Sequence, residues 1–171
     1  MSDFTTDTFP RQYARTQRLT LGEPRTISVT KNSVVFVRSA SGSDPVNALW
    51  ALDLQTGIER CIVDPRNLDD APENDTPEER ARRERAREGA GGIVSYSLND
   101  EGTIAAFVLG GALYLANLTD ASTTRISIPG SGSVYDAHIS GDGTLIAYCR
   151  NGAMCVTDLA GNESVIARDN N

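Results

Sequence analysis

Ser140-Gly-Asp-Gly-Thr-Leu-Ile-Ala-Tyr-Cys-Arg-Asn-Gly-Ala-Met-Cys-Val-Thr-Asp-Leu159 decides the fold, because its pattern returns upstream. Laid 41 residues earlier it meets Asn99-Asp-Glu-Gly-Thr-Ile-Ala-Ala-Phe-Val-Leu-Gly-Gly-Ala-Leu-Tyr-Leu-Ala-Asn-Leu118, turn on turn and apolar position on apolar position. A looser third copy holds Ser33-Val-Val-Phe36 and Leu49-Trp-Ala-Leu-Asp-Leu54, its hairpin lengthened by Ser39-Ala-Ser-Gly-Ser-Asp-Pro45. Short alternating strands recurring at about 40 residues are the mark of a β-propeller blade. The fold class read from the repeat is all-β: a partial propeller of about three four-stranded antiparallel blades, with one inserted charged helix.

The chemistry within one unit sets its register. Asp142-Gly143 makes a tight turn, Leu145 to Arg150 form a strand, and Asn151-Gly152 supply the positive φ of a two-residue hairpin. Met154 to Leu159 then return antiparallel. Tyr148 therefore faces Cys155 and Cys149 faces Met154, which puts the two cysteines on opposite faces and rules out a disulfide between them. In the upstream copy Gly110-Gly111 turn the chain and set Phe107 opposite Tyr114. Both pairs are expected to pack between blades.

Outward from the repeat, residues 1–24 form an N-terminal arm with a short helix and then a strand leading into the propeller, which occupies 25–171. Blade one is read at about 25–63, blade two at 92–128 and blade three at 134–167. Asp64 to Thr76 is acidic and Pro-containing and reads as a mobile loop. A helical insertion at 76–89 follows: Thr76 caps it, Pro77 suits the first turn, Glu79 completes a capping box and Gly89 stops it. Its five Arg and four Glu between Glu78 and Glu88 include pairs at four-residue spacing but no apolar stripe. Such a helix projects into water or towards a partner.

Composition excludes several functions. A net charge of −7 with a single lysine, Lys31, argues against nucleic acid and anionic membranes as partners. No window approaches the ~20 apolar residues that span a bilayer, and the N-terminus lacks a basic and apolar leader, so the chain reads as cytoplasmic. Cys61, Cys149 and Cys155 lie in apolar runs and read as small buried hydrophobes. His138 is the only histidine and falls in the first strand of blade three, with no second ligand at metal spacing. No Gly-x-Ser-x-Gly elbow and no phosphate-cradling loop occurs, and Gly130-Ser-Gly-Ser133 fails the elbow spacing. Asp100, Asp142 and Asp158 sit where turns favour aspartate. No catalytic residue, metal ligand or cofactor site is therefore assigned.

Three stretches together carry a resemblance: Phe9-Pro-Arg-Gln-Tyr-Ala-Arg-Thr-Gln-Arg-Leu-Thr-Leu-Gly22, the Glu78 to Glu88 helix running into Gly92-Ile-Val-Ser-Tyr96, and the Ser-x-Asp-Gly-Thr repeats. They are similar to the N-terminal propeller of the dipeptidyl peptidase IV family of serine peptidases, in the branch of the cytosolic dipeptidyl peptidases 8 and 9. The resemblance implies a full-length enzyme with an eight-bladed propeller over an α/β-hydrolase domain, releasing Xaa-Pro or Xaa-Ala dipeptides from free N-termini. It also implies that Arg83, Arg85 or Arg87 contacts the peptide substrate; all three match the family's basic positions. The acidic residues that hold the substrate's amino terminus and the catalytic serine, acid and histidine would lie downstream. The chain thus reads as an N-terminal fragment, inactive alone, with the remaining blades and the hydrolase domain as its partners. The alternative is a non-enzymatic interaction module completed by oligomerisation. In either case the outer blades present apolar faces that favour association.

Overall fold

The computed structural model describes residues 8–68 and 91–168. Among these, thirteen strands form three sheets, each built on the four antiparallel strands of a propeller blade with one further two-residue strand joined to the first, and one short α-helix precedes them. Blade one contains β1 (Arg25–Val29), β2 (Ser33–Ser39), β3 (Val46–Asp53) and β4 (Glu59–Val63). Blade two contains β6 (Tyr96–Leu98), β7 (Ile104–Leu109), β8 (Ala112–Asn117) and β9 (Thr123–Arg125). Blade three contains β10 (Tyr135–Ile139), β11 (Leu145–Arg150), β12 (Ala153–Asp158) and β13 (Glu163–Arg168). Each blade is an up-and-down meander in chain order.

The hairpins follow the turn chemistry of the sequence. Asn151 and Gly152 have φ of 50° and 70°, Gly110 and Gly111 of 57° and 76°, the left-handed pair a two-residue hairpin demands. Tyr148 accordingly pairs with Cys155, Cys149 with Met154 and Phe107 with Tyr114. All three cysteines are free thiols.

Alternation gives every blade two faces, here called front, towards the preceding blade, and back, towards the following one. The back of blade one (Val35, Val37, Leu49, Ala51) meets the front of blade two (Ala105, Phe107, Tyr114, Ala116) in one buried cluster. The back of blade two (Ala106, Val108, Leu113) meets the front of blade three (Ile146, Tyr148, Cys155) in a second. Phe107 stacks on Tyr114 at 5.4 Å between ring centres, and both lie between blades one and two as the pattern predicts.

Turns clamp the blades at one edge. The Asp100 amide donates to the Gly141 carbonyl at 2.9 Å, and a Cβ at Gly141 would press on the Asp100 carboxylate and make that side chain move. The Tyr96 hydroxyl reaches back to blade one, 2.7 Å from the carbonyl oxygens of both Thr26 and Val35.

Four expectations change. The Gln-Arg-Leu-Thr-Leu run of the arm makes turns, not a strand; Gln17, Arg18 and Leu19 all have positive φ, which an extended strand does not accommodate. Helix α1 (Phe9–Arg15) does form. Asp64 to Leu68 is not open loop but a 3₁₀ turn, with Asp64 accepting from the Arg66 amide and holding its guanidinium at 2.7 Å. Gly91–Gly92, β5, pairs in parallel with Val46 and Asn47 of β3, so Gly92 belongs to the sheet of blade one. Finally, Cys61 is exposed, opposite Trp50 on the front of blade one, where among the described residues no blade lies against it; Cys149 is half-buried and Cys155 alone is fully buried.

Candidate functional site

The three arginines singled out by resemblance, Arg83, Arg85 and Arg87, lie outside the described residues, as does the whole 76–89 helix. What the structure gives is the seat from which residues 69–90 depart and to which they return. Both ends rest on the start of β3. On the outgoing side the Arg66 guanidinium bridges Asp64 and, at 3.2 Å, Asp44 in the β2–β3 loop. The Asp44 carboxylate in turn accepts from the Val46 amide at 3.0 Å, which fixes the beginning of β3. On the returning side the Gly91 amide donates to Pro45 at 2.7 Å and the Ile93 amide to Asn47 at 3.0 Å. A Cβ at Gly92 would collide with the Asn47 carbonyl, and its φ is +79°, so the close approach requires glycine. Ile93 is fully buried in the first inter-blade cluster and anchors the return.

A second feature lies on the blade fronts and was not anticipated from the sequence. Arg38 and Arg150 occupy the same place on blades one and three, two residues after the aromatic residues Phe36 and Tyr148. Each binds a glutamate on its outermost strand at 2.6 Å, Glu59 and Glu163 respectively. On blade three the pair is enclosed, with Arg150 also donating to the Pro129 carbonyl of the preceding linker at 2.8 Å and the Tyr148 hydroxyl donating to Glu163. Burial, followed by that carboxylate, pushes the Tyr148 phenol well above its ordinary range. On blade one Arg38 stacks over Trp50 at 4.5 Å, and its buried Nε has no acceptor among the described residues. The aromatic-x-Arg spacing before a hairpin is the signal that could have marked both.

Between blades one and two lies a cleft of ≈ 220 Å³ bordered by Thr30, Asp53, Arg60, Glu101 and Thr103. Two of its charges are engaged by the scaffold: Arg60 donates to the Leu118 and Thr119 carbonyls, and Asp53 accepts from Thr56 and Gln55, which holds its carboxyl below the usual range. Asp142 and Asp158 likewise bind the amides of their own turns, as their positions predict. Burial raises the Cys155 thiol, which disfavours a nucleophilic thiolate. His138 is exposed on β10, 3.4 Å from Asp136. Among the described residues no group of His, Cys, Asp or Glu is placed to hold a metal ion, and no helix is long and apolar enough to cross a membrane.

No protein-family model matches the chain. Solved structures do. TolB from Acinetobacter baumannii aligns over 84% of this chain and 32% of its own, with a TM-score of 0.55 and 17% identity. A structure from a study of two prolyl endopeptidases aligns over 94% of this chain and 25% of its own, with a TM-score of 0.61 and 12% identity. The chain therefore spans about a quarter to a third of the length of these neighbours. At such identities the likeness speaks for the fold, and it agrees with the sheets: the chain is a partial β-propeller of three blades.

Proposed function

We propose that this chain is the N-terminal propeller part of a dipeptidyl peptidase IV-like serine peptidase, inactive alone, whose full-length form releases Xaa-Pro or Xaa-Ala dipeptides. The remaining blades and the α/β-hydrolase domain are its partners, and Arg83, Arg85 or Arg87 touches the substrate peptide. The observation that carries the reading is the seat of residues 69–90. The resemblance rests on Gly92-Ile-Val-Ser-Tyr96, and in this stretch Gly92 fits only as glycine, Ile93 is buried and Tyr96 ties two blades together. A structural neighbour drawn from prolyl endopeptidases adds support at the level of fold. Grafting residues 64–96 into the propeller of an active relative tests it. Alanine at the contacting arginine should raise KM roughly ten-fold or more with kcat nearly unchanged, the other two being almost silent. Small, equal effects at all three positions would sink the assignment, and dipeptide release by the chain alone would overturn its inactivity.

A second reading, a non-enzymatic interaction module, is favoured by one observation. Leu145 and Met154 on the back of blade three, whose counterparts one repeat earlier pack against the next blade, are 45% and 47% exposed.

A further inference from the structure

The hairpin between β11 and β12 turns through the sequence's one Asn-Gly pair, Asn151-Gly152, where blade two has Gly110-Gly111. The asparagine adds a side chain that Gly110 lacks. Its Nδ2 donates to the Ser131 carbonyl at 2.8 Å, and a Cβ at Gly132 would press on the same side-chain amide. Beside it the Arg150 guanidinium donates to the Pro129 carbonyl at 2.8 Å. Residues 129–132 are the bend of the linker between blades two and three. The linker's backbone bonds flank that bend, from the Ile126 amide to Leu113 and from the Val134 amide to Gly111. Two adjacent side chains of one hairpin therefore hold the carbonyls of the bend, and Asn151 is one of them.

Asparagine before glycine is also the pair most prone to deamidate, because glycine has no Cβ to shield its backbone nitrogen. The Gly152 nitrogen gives up its proton to solvent base and attacks Asn151 Cγ. The Cγ–Nδ2 bond breaks, ammonia leaves and a five-membered imide closes. Water then opens either imide carbonyl, which yields aspartate or isoaspartate. The ring can close only when Asn151 Cβ and the Gly152 nitrogen lie on the same side of the Cα–C bond, and the hairpin forbids that. Asn151 and Gly152 have φ of 50° and 70°, the type I′ geometry, in which ψ of the first residue is roughly +30°. That ψ carries the nitrogen to the side away from Cβ, while the bond to Ser131 holds the side chain over the linker.

We propose that Asn151 is a deamidation site guarded by its own hairpin, and that its conversion, confined to moments when the hairpin opens, permanently frees the linker between blades two and three. Aspartate at this position has no N–H to donate and turns a negative charge on the Ser131 carbonyl. Isoaspartate also lengthens the backbone of a two-residue turn by a methylene, which breaks the match between turn and strands. Refolding does not restore the lost amide, so each opening that reacts is kept as a covalent mark. The inference goes beyond the peptidase and interaction-module readings and requires neither.

Incubating the 171-residue chain in mildly alkaline buffer with and without urea, then mapping peptic peptides in acid by mass spectrometry, tests it. Conversion at Asn151 should be at least roughly ten-fold slower in the folded chain, since it waits on local opening. Equal rates would show that the hairpin is no guard, and an unreacted Asn151 in urea would remove the site altogether. Two variants test the tether. Asn151→Asp copies the product, and Asn151→Gly copies the blade-two turn, keeping the left-handed φ without the side chain. Asn151 is exposed, so both keep the fold, checked by circular dichroism. Each should raise thermolysin cleavage within residues 126–134 roughly five-fold, the loss of one hydrogen bond. Wild-type resistance in both would overturn the tether, and a rise with Asn151→Asp alone would assign the effect to charge and overturn it likewise.

Discussion

Blades two and three are nearly the same sequence pattern in different surroundings. Blade two has a neighbour on each side, and its β7 and β8 are buried on both faces: Ala105, Ala106, Phe107, Val108 and Leu113 are all under 9% exposed. Among the described residues blade three has a neighbouring blade on its front alone, and its strands divide cleanly, with Ile146, Tyr148 and Cys155 enclosed while Leu145 and Met154 stand open. A propeller blade is therefore only half specified by its own residues. The rest of its burial belongs to whatever stands next to it, which is why propellers close or associate.

Equivalent truncations would break that comparison most severely. Leu113 and Met154 occupy matching positions. Leu113→Ala should cost about 3 kcal/mol, the transfer and cavity loss of a fully buried leucine. Met154→Ala should cost less than about 1 kcal/mol when denaturation is followed at concentrations low enough to keep chains apart. Similar losses at both positions would mean that the back of blade three is covered within a single chain.

A smaller difference separates the two arginine–glutamate pairs. Arg150 and Glu163 are 11% and 13% exposed in their side chains, Arg38 and Glu59 25% and 39%. Glu163→Ala strands an enclosed guanidinium and removes the acceptor of Tyr148, and should cost about 2 kcal/mol. Glu59→Ala should cost under about 1 kcal/mol in the unassociated chain, since its ion pair is screened by water. Urea midpoints of the two variants give the ratio, and equal values would show blade one to be as enclosed as blade three.

The smallest effect lies in the turns and depends on pH. The Asn99 amide oxygen accepts from the Thr103 and Ile104 amides in blade two. In blade three Ser140 replaces it, and the Asp142 carboxylate shares the work by accepting from the Thr144 amide. Hydrogen bonds from Ser140 and Thr144 hold the Asp142 carboxyl below its ordinary value of 3.8. A carboxyl depressed in the folded state stabilises above its unfolded pKa, and that contribution is lost as pH falls through the folded pKa. Amide resonances of Thr144 and Leu145 should therefore move only below the ordinary Asp value of 3.8, while those of Thr103 and Ile104 stay fixed. Parallel movement in both turns would remove Asp142 from the explanation.

Local chemistry made the blades legible. Asn-Gly and Gly-Gly admit few conformations other than the left-handed hairpin, and a period-2 pattern admits only one register that keeps Phe107 and Tyr148 inside. The candidate site was less legible. Nothing in the glycine run before Ile93 shows that Gly91 and Gly92 would complete the preceding blade, because a parallel pairing with Val46 and Asn47 joins residues more than forty positions apart. The Gln17 to Leu21 run failed for another reason: the alternation of Leu19 and Leu21 suits a strand, but the chain turns through positive φ at Gln17, Arg18 and Leu19.

The sequence by itself determined the repeat, its turns, its strand register and the two faces of every blade, because these follow from φ preferences and side-chain alternation within some twenty residues. Only the tertiary structure decided which faces are filled. It buried Cys155 and exposed Cys61, enclosed Arg150 and left Arg38 short of an acceptor, and seated both ends of residues 69–90 on one strand. Burial is a property of neighbours, and neighbours one blade apart are set by packing between sheets rather than by any residue's own conformational preference.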